Sequence, residues 1–270
     1  MKKLITAAFL AAATTASLFA GPAEDALAAA KKDIDSVAKG DVKALFTGLP
    51  ASYQKDVSSV VTAFANKVDA EVFTGIMDTV GAFADVGAAK SDLLAKMMDS
   101  DDAPKAADIA AAAAGIKGLA GKLTLDTLKK GDVAAILANP EFAAIAGLAK
   151  GEVSKIKLVG SKLNDDGSVT VSAKTEGDDD DGTDDTDYVK VEGVWVSKDL
   201  SGDWKETVGK VLEGIAGFEM DDEKKEQILG ALPMLKMGLQ GAKSAKTSEQ
   251  LQQNLMMSLF PLMMMGGGSL

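Results

Sequence analysis

Seven of the twelve positions from Glu176 to Asp187 are aspartate: Asp178, Asp179, Asp180, Asp181, Asp184, Asp185 and Asp187. Carboxylates this close repel one another. A hard cation such as calcium, with roughly six to eight oxygen ligands, is the chemical group that relieves such repulsion. Asp179, Asp181 and Gly182 fall on the third, fifth and sixth places of an EF-hand register. That register puts Gly177 first and Tyr188 twelfth, where the motif needs an acid at each end. The segment 176–187 is therefore expected to be a solvated acidic loop, because acidic runs usually keep to water. Calcium is the alternative, and the only cofactor these residues suggest.

The remaining side chains narrow the chemistry further. All 29 basic residues are lysine, and the chain has no Arg, His or Cys. This removes imidazole acid–base catalysis, Ser-His-Asp and Cys-His nucleophiles, His or Cys metal sites, disulfides and arginine phosphate clamps. Carboxylate, lysine, hydroxyl and backbone chemistry remain. No nucleophile elbow, P-loop or dinucleotide fingerprint stands out, so no catalytic residue is assigned. A second unusual stretch is the Met-rich end, with Met256, Met257 and Met263 to Met265. Three adjacent thioethers point to different sides of a helix, which argues against a copper(I) site. Burial on the helical body is expected, with a docking surface for a protein partner at this C-terminal helix as the alternative.

Where such residues would be placed follows from the ends of the chain inward. Lys2 and Lys3 precede an uncharged stretch from Leu4 to Ala20, after which Gly21-Pro22-Ala23-Glu24-Asp25 turns polar. A charged start, a short apolar run and a small residue before a polar switch are the marks of a secretory signal over 1–20. Cleavage is expected after Ala20, with Ala16 or Ser17 as the alternative, and the mature protein is expected in the periplasm or outside the cell. The apolar run is short for a membrane span of about 20 residues and has no Cys for lipid attachment. No transmembrane span is expected in the mature chain. Losing Lys2 and Lys3 takes the net charge from -11 to -13. A field of that sign repels nucleic acid, which is excluded as a partner.

Hydrophobic periodicity gives an α+β chain that is mainly helical. Helices are expected through 21–150, an antiparallel meander of three or four strands over about 152–198, and helices again over 201–270. The first helix, Glu24 to Lys39, carries Leu27, Ala30, Ile34 and Val37 at three- and four-residue steps and stops at Gly40. Lys39-Gly40-Asp41-Val42 returns as Lys130-Gly131-Asp132-Val133. The preferred explanation is a helix stop followed by a helix start, with a duplicated unit as the alternative. In the sheet region, Val153 to Val159, Val169 to Lys174, Tyr188 to Val191 and Val194 to Val196 alternate as strands. Asn164-Asp165-Asp166-Gly167 and Glu192-Gly193 are expected as turns. Trp195 is expected to cap the core on the inner face. The last helix begins at Ser248, with Leu251, Leu255, Leu259 and Leu262 expected to be buried on one side.

The early helix running into KGDVKALF, Lys39 to Phe46, and the late hairpin DYVKVEGVWVSKD, Asp187 to Asp199, resemble exported bacterial members of the ketosteroid-isomerase-like or nuclear-transport-factor-like superfamily. The resemblance implies a cone-shaped helix–sheet fold around a small-molecule pocket. In the isomerases of that group an Asp base works with a Tyr and a protonated Asp. Neither Tyr53 nor Tyr188 matches a family motif, and no catalytic residue is carried over. This chain also has a longer helical region before the sheet and about 70 further residues of helix after it. The function expected from the sequence is an exported, soluble, non-catalytic binding or envelope-associated protein. A small-molecule binder or enzyme with a cone-like pocket, and a calcium-responsive structural protein, are the alternatives.

Overall fold

A computed structural model describes residues 21–98, 104–177 and 182–266, of which 152 and 260–266 are described by backbone alone. The expected signal segment 1–20 and Asp178 to Asp181 lie outside the described residues. Before the sheet come α1 Pro22–Lys39, α2 Val42–Gly48, α3 Ala51–Lys67, α4 Ala70–Ala89, α5 Ser91–Met97, α6 Ala106–Lys122, α7 Leu125–Lys129, α8 Val133–Leu137, α9 Glu141–Ala146 and α10 Lys150–Ser154. The strands are β1 Ile156–Leu163, β2 Val169–Thr175, β3 Asp184–Val191 and β4 Val194–Ser197, and α11 Lys198–Gly217, α12 Asp222–Ser244 and α13 Ser248–Gly266 follow. The fold is α+β, mainly helical, with one small antiparallel sheet.

Local chemistry accounts for many of the boundaries. Pro22 sits in the first turn of α1, where its missing N–H costs nothing, and Gly40 closes the helix at φ 69°. Asp41 then accepts the Ala44 N–H and opens α2. The repeated KGDV segment does the same: Gly131 has φ 66° and Asp132 accepts the Ala135 N–H to open α8. The stop-and-start geometry of the two segments is thus alike, and α2 and α8 pack against each other.

The chain divides into two compact units. Among the described residues, the first comprises 21–61, 132–138 and 149–214 and contains the whole sheet. Strands β1 to β4 follow one another as a meander. The β1–β2 turn has Gly167 at φ 81°, and the β3–β4 turn has Glu192 at φ 52° and Gly193 at φ 83°, the paired positive φ of a type I′ hairpin. Glu192 also reaches beyond its own turn. Its carboxylate accepts the Ser52 N–H at 3.2 Å, which holds it below the usual carboxylate range and caps the start of α3. Helix α1 lies on the sheet, against β1, β2 and β4.

Three strand limits differ from the sequence expectation by more than one residue, the end of β1 among them, which runs on to Leu163 opposite Val169 rather than stopping at Val159. Strand β1 begins at Ile156 rather than Val153, because Lys150–Ser154 closes as a helical turn with the Ser154 hydroxyl donating to the Gly151 carbonyl. Strand β3 begins at Asp184, so the acidic loop is shorter than 176–187. The Thr170 and Ser172 hydroxyls of β2 donate to Asp187 and Asp185 at 2.6 Å each, which draws those aspartates into the ladder.

The second unit comprises 62–131, 139–148 and 215–270 and is built of helices. Helix α4 packs against α6 and α12, α12 against α13, and α6 against α9. Its core gathers Val86, Leu239, Ala242, Ala245 and Leu251, flanked by Leu93, Leu94 and Leu255. Glycines allow close helix contact: a Cβ on Gly75 would meet Leu232 at 2.5 Å, and one on Gly238 would meet Ser258 at 2.5 Å. The contact at Ser258 corrects the expected leucine stripe. The inward line of α13 runs through Leu251, Leu255 and Ser258, so Leu259, one step round the helix, is 47% exposed. The side chain of Leu262 lies outside the described residues. Helix α4 is long and apolar enough to cross a membrane, with a mean hydropathy of 1.2. It carries Asp78 and Asp85, which pair with Lys236 at 3.2 Å and Lys117 at 2.7 Å.

Candidate functional site

The inward face of α1 is not the stripe that its largest residues suggest. Ala26, Ala29, Ala30, Asp33, Ser36 and Val37 are buried, while Leu27 and Ile34 sit at the margin. Alanines leave little side chain between the helix backbone and the sheet, so the sheet supplies the bulk: Leu158, Val169, Val171, Tyr188 and Trp195. Trp195 takes its expected place on the inner face of the core. The spacing that puts Ala26, Ala29 and Ala30 against these residues carries Asp33 onto the same line, one turn further on.

This core holds an unusual set of polar atoms. Both carboxyl oxygens of Asp33, the Tyr188 hydroxyl and Trp195 Nε1 are buried without a hydrogen-bond partner. Asp33 and Tyr188 are each 1% exposed. Buried polar groups are nearly always paired, and an unpaired one costs about 1–3 kcal/mol, so several in one core require an explanation. Burial pushes the Asp33 carboxyl up to about 8, against a smaller opposing pull from Lys32. Burial also pushes the Tyr188 hydroxyl above its ordinary range, and negative charge at Asp33 adds to the effect. At neutral pH Asp33 therefore holds its proton. The set then offers two O–H donors and one N–H donor, a combination that suits an oxygen acceptor.

In the other aromatic pair of this unit the indole N–H has a partner. Tyr53 stacks on Trp204 at 4.1 Å between centroids and 9° between planes, and Trp204 Nε1 donates to Asp56 at 2.9 Å. That pair reads as packing.

The second unit has a groove of about 410 Å³ lined by Glu71, Thr74, Gly75, Leu229, Leu232, Pro233 and Lys236. Its charged groups are engaged with neighbours: Lys236 with Asp78, and Lys225 with both Asp69 and Glu71 at 3.1 and 3.2 Å.

Of the acidic residues singled out by composition, only Asp184, Asp185 and Asp187 lie among the described residues. They are spaced along β3, and Asp187 also lies 3.9 Å from Lys198. Among the described residues no group of three acids is placed to hold a metal ion. Met256 and Met257 are both 65% exposed, and the side chains of Met263 to Met265 lie outside the described residues. Asp33 was hidden in sequence because Leu27 and Ile34 dominate any reading of hydrophobic contrast. The signal available was the Ala26, Ala29, Ala30 and Val37 line, on which Asp33 is the one charged position. No family model, curated protein or solved structure matches the chain.

Proposed function

We propose that this chain is an exported, soluble, non-catalytic binding protein whose ligand site is the α1–sheet core of the first unit. The observation that carries this reading is the set of Asp33, Tyr188 and Trp195, three hydrogen-bonding side chains gathered in one core with no partner for the atoms named. A small molecule with an oxygen acceptor would satisfy those donors and remove the cost of burying them unpaired. The resemblance to the cone-shaped superfamily points the same way, toward a small ligand held between helix and sheet. Export rests on the Lys-Lys start and the apolar run to Ala20.

The test is native mass spectrometry of the chain purified undenatured from its own host. The expected result is a mature chain beginning near Gly21 that carries a discrete small-molecule adduct, lost in Tyr188→Phe. An intact Met1 overturns export, and a wild-type chain free of adduct overturns the ligand site.

A second reading, docking of a protein partner on α13, is favoured by the exposure of Met256, Met257 and Leu259. Photocrosslinking from position 257 in the native host should then give a defined adduct that Met256→Glu weakens. Uniform background labelling would count against it.

A further inference from the structure

We infer that Asp33 is a proton-binding site that governs the docking of α1 on the sheet: the neutral carboxyl keeps the helix seated, and the carboxylate releases it. The geometry is that of a single acid in the middle of an apolar contact. Asp33 lies one turn beyond Ala26, Ala29 and Ala30, the α1 line that packs on Val169, Val171, Tyr188 and Trp195, and has neither oxygen hydrogen-bonded. Ionising it there places a charge on a buried carboxyl to which no protein group donates, so the carboxylate is satisfied when the helix lifts and water reaches it.

The surrounding charges do not relieve that cost. On β3 the Tyr188 hydroxyl is held above its ordinary range by burial and by Asp33 beside it, and Lys190 reaches over the Trp195 ring, with its ammonium 5.5 Å from the centroid. From α1 itself Lys32 exerts a weak pull, its side chain exposed. Strand β4 carries no ionisable side chain. The lysines of the other packed elements, Lys43 of α2, Lys150 of α10, Lys157 and Lys162 of β1 and Lys174 of β2, are all exposed. Lys157 is also paired with Glu176.

The direction of the switch follows from linkage. In the docked helix the carboxyl keeps its proton up to about pH 8, whereas in the lifted helix it titrates as an ordinary aspartate near 3.8. Between those values the lifted form loses a proton that the docked form keeps. Opening should therefore grow about tenfold per pH unit until Asp33 ionises in place, and level off above. This inference goes beyond the proposed ligand site and does not depend on it, because a chain that binds nothing would still show it.

The experiment is hydrogen exchange of the α1 amides in the full chain from pH 5 to 9, corrected for intrinsic exchange, with carbon NMR of the Asp33 carboxyl. The expected result is an opening equilibrium that rises at least tenfold between pH 5 and 7 and flattens above pH 8. The slope should be absent in Asp33→Asn, and the α12 amides should stay unchanged in both proteins. Protection of α1 that does not vary with pH, or that varies equally in Asp33→Asn, overturns the inference. If the variant fails to fold, the wild-type carboxyl decides alone: an Asp33 already ionised at pH 6 overturns it, and one still protonated at pH 7 supports it. A ligand adduct that is absent while α1 still responds to pH would defeat the ligand reading only.

Discussion

The two units bury their surfaces by opposite means. In the first, a helix lined with alanines lies on a sheet that provides Tyr188 and Trp195, and the large side chains bring polar atoms into the interior. In the second, helices meet through Gly75 and Gly238, and acids at the margins find lysines: Asp69 with Lys225, Asp78 with Lys236, Asp85 with Lys117. Among the described residues of the second unit, Glu141 alone leaves a buried side-chain oxygen unpartnered, and its other oxygen is held by Lys122. A unit that only needs to pack keeps its charges paired at the edge. The cost of unpaired donors and an acid is concentrated in the first, which is why the ligand site is proposed there.

The sharpest way to break the comparison is to charge the helical core. Leu251 is fully buried, and Leu251→Asp should destabilise the second unit by about 4 kcal/mol through an unpartnered charge. Both tryptophans, Trp195 and Trp204, belong to the first unit. The midpoint followed by helical circular dichroism should therefore fall while tryptophan emission responds less. An unchanged midpoint in both signals would show that Leu251 is not a core residue.

Asp33→Asn asks whether the first unit carries a polar cost. The native carboxyl titrates at about 8 in the fold and near 3.8 when exposed, so folding is penalised as pH rises between those values. The Asp33 contribution to stability is full below about pH 4 and lost progressively up to about pH 8. The variant should gain roughly 3–5 kcal/mol over the native chain at pH 8 and almost nothing at pH 4, measured by urea unfolding on tryptophan emission. A gain that does not depend on pH would mean that Asp33 is not the group responsible.

Glycine contacts in the second unit predict a smaller effect. Gly238→Ala forces a methyl against Ser258 Cβ and Cα at 2.5 and 2.7 Å and should cost about 1–3 kcal/mol, whereas Gly75→Ala meets at close range only the Leu232 Cδ1 methyl, which can turn aside, and should cost about 1 kcal/mol or less. Gly81 in α4 has nothing within 4 Å of an added Cβ, so Gly81→Ala should instead stabilise by up to about 1 kcal/mol. Equal effects at the three positions would remove glycine packing as the distinguishing feature of this unit. The smallest change is expected at the helix starts, where Asp41→Ala and Asp132→Ala should each cost about 1 kcal/mol by leaving the Ala44 and Ala135 N–H groups without their cap. Unequal losses there would show that the two KGDV segments are alike in sequence but not in the stability they provide.

Most elements and the ends marked by caps and turns were legible from residue types alone, because the forces that set them are local. Gly40 and Gly131 take positive φ, Asp41 and Asp132 sit beside the N–H groups they cap, and Glu192-Gly193 turns within its own four residues. The α+β class and the meander follow from the change of period between Lys150 and Ser197. What only the tertiary structure decided was which side of each element faces inward. Alanine has too little apolar surface to announce a buried face, so Leu27 and Ile34 drew attention from the line that holds Asp33. Strand β3 reaches back to Asp184 because hydroxyls of β2 stand opposite its aspartates, and Leu259 is turned outward because Ser258 meets Gly238. Partners distant in the chain choose among faces that are equivalent in sequence, and the burial of Asp33 beside Tyr188 is the product of that choice.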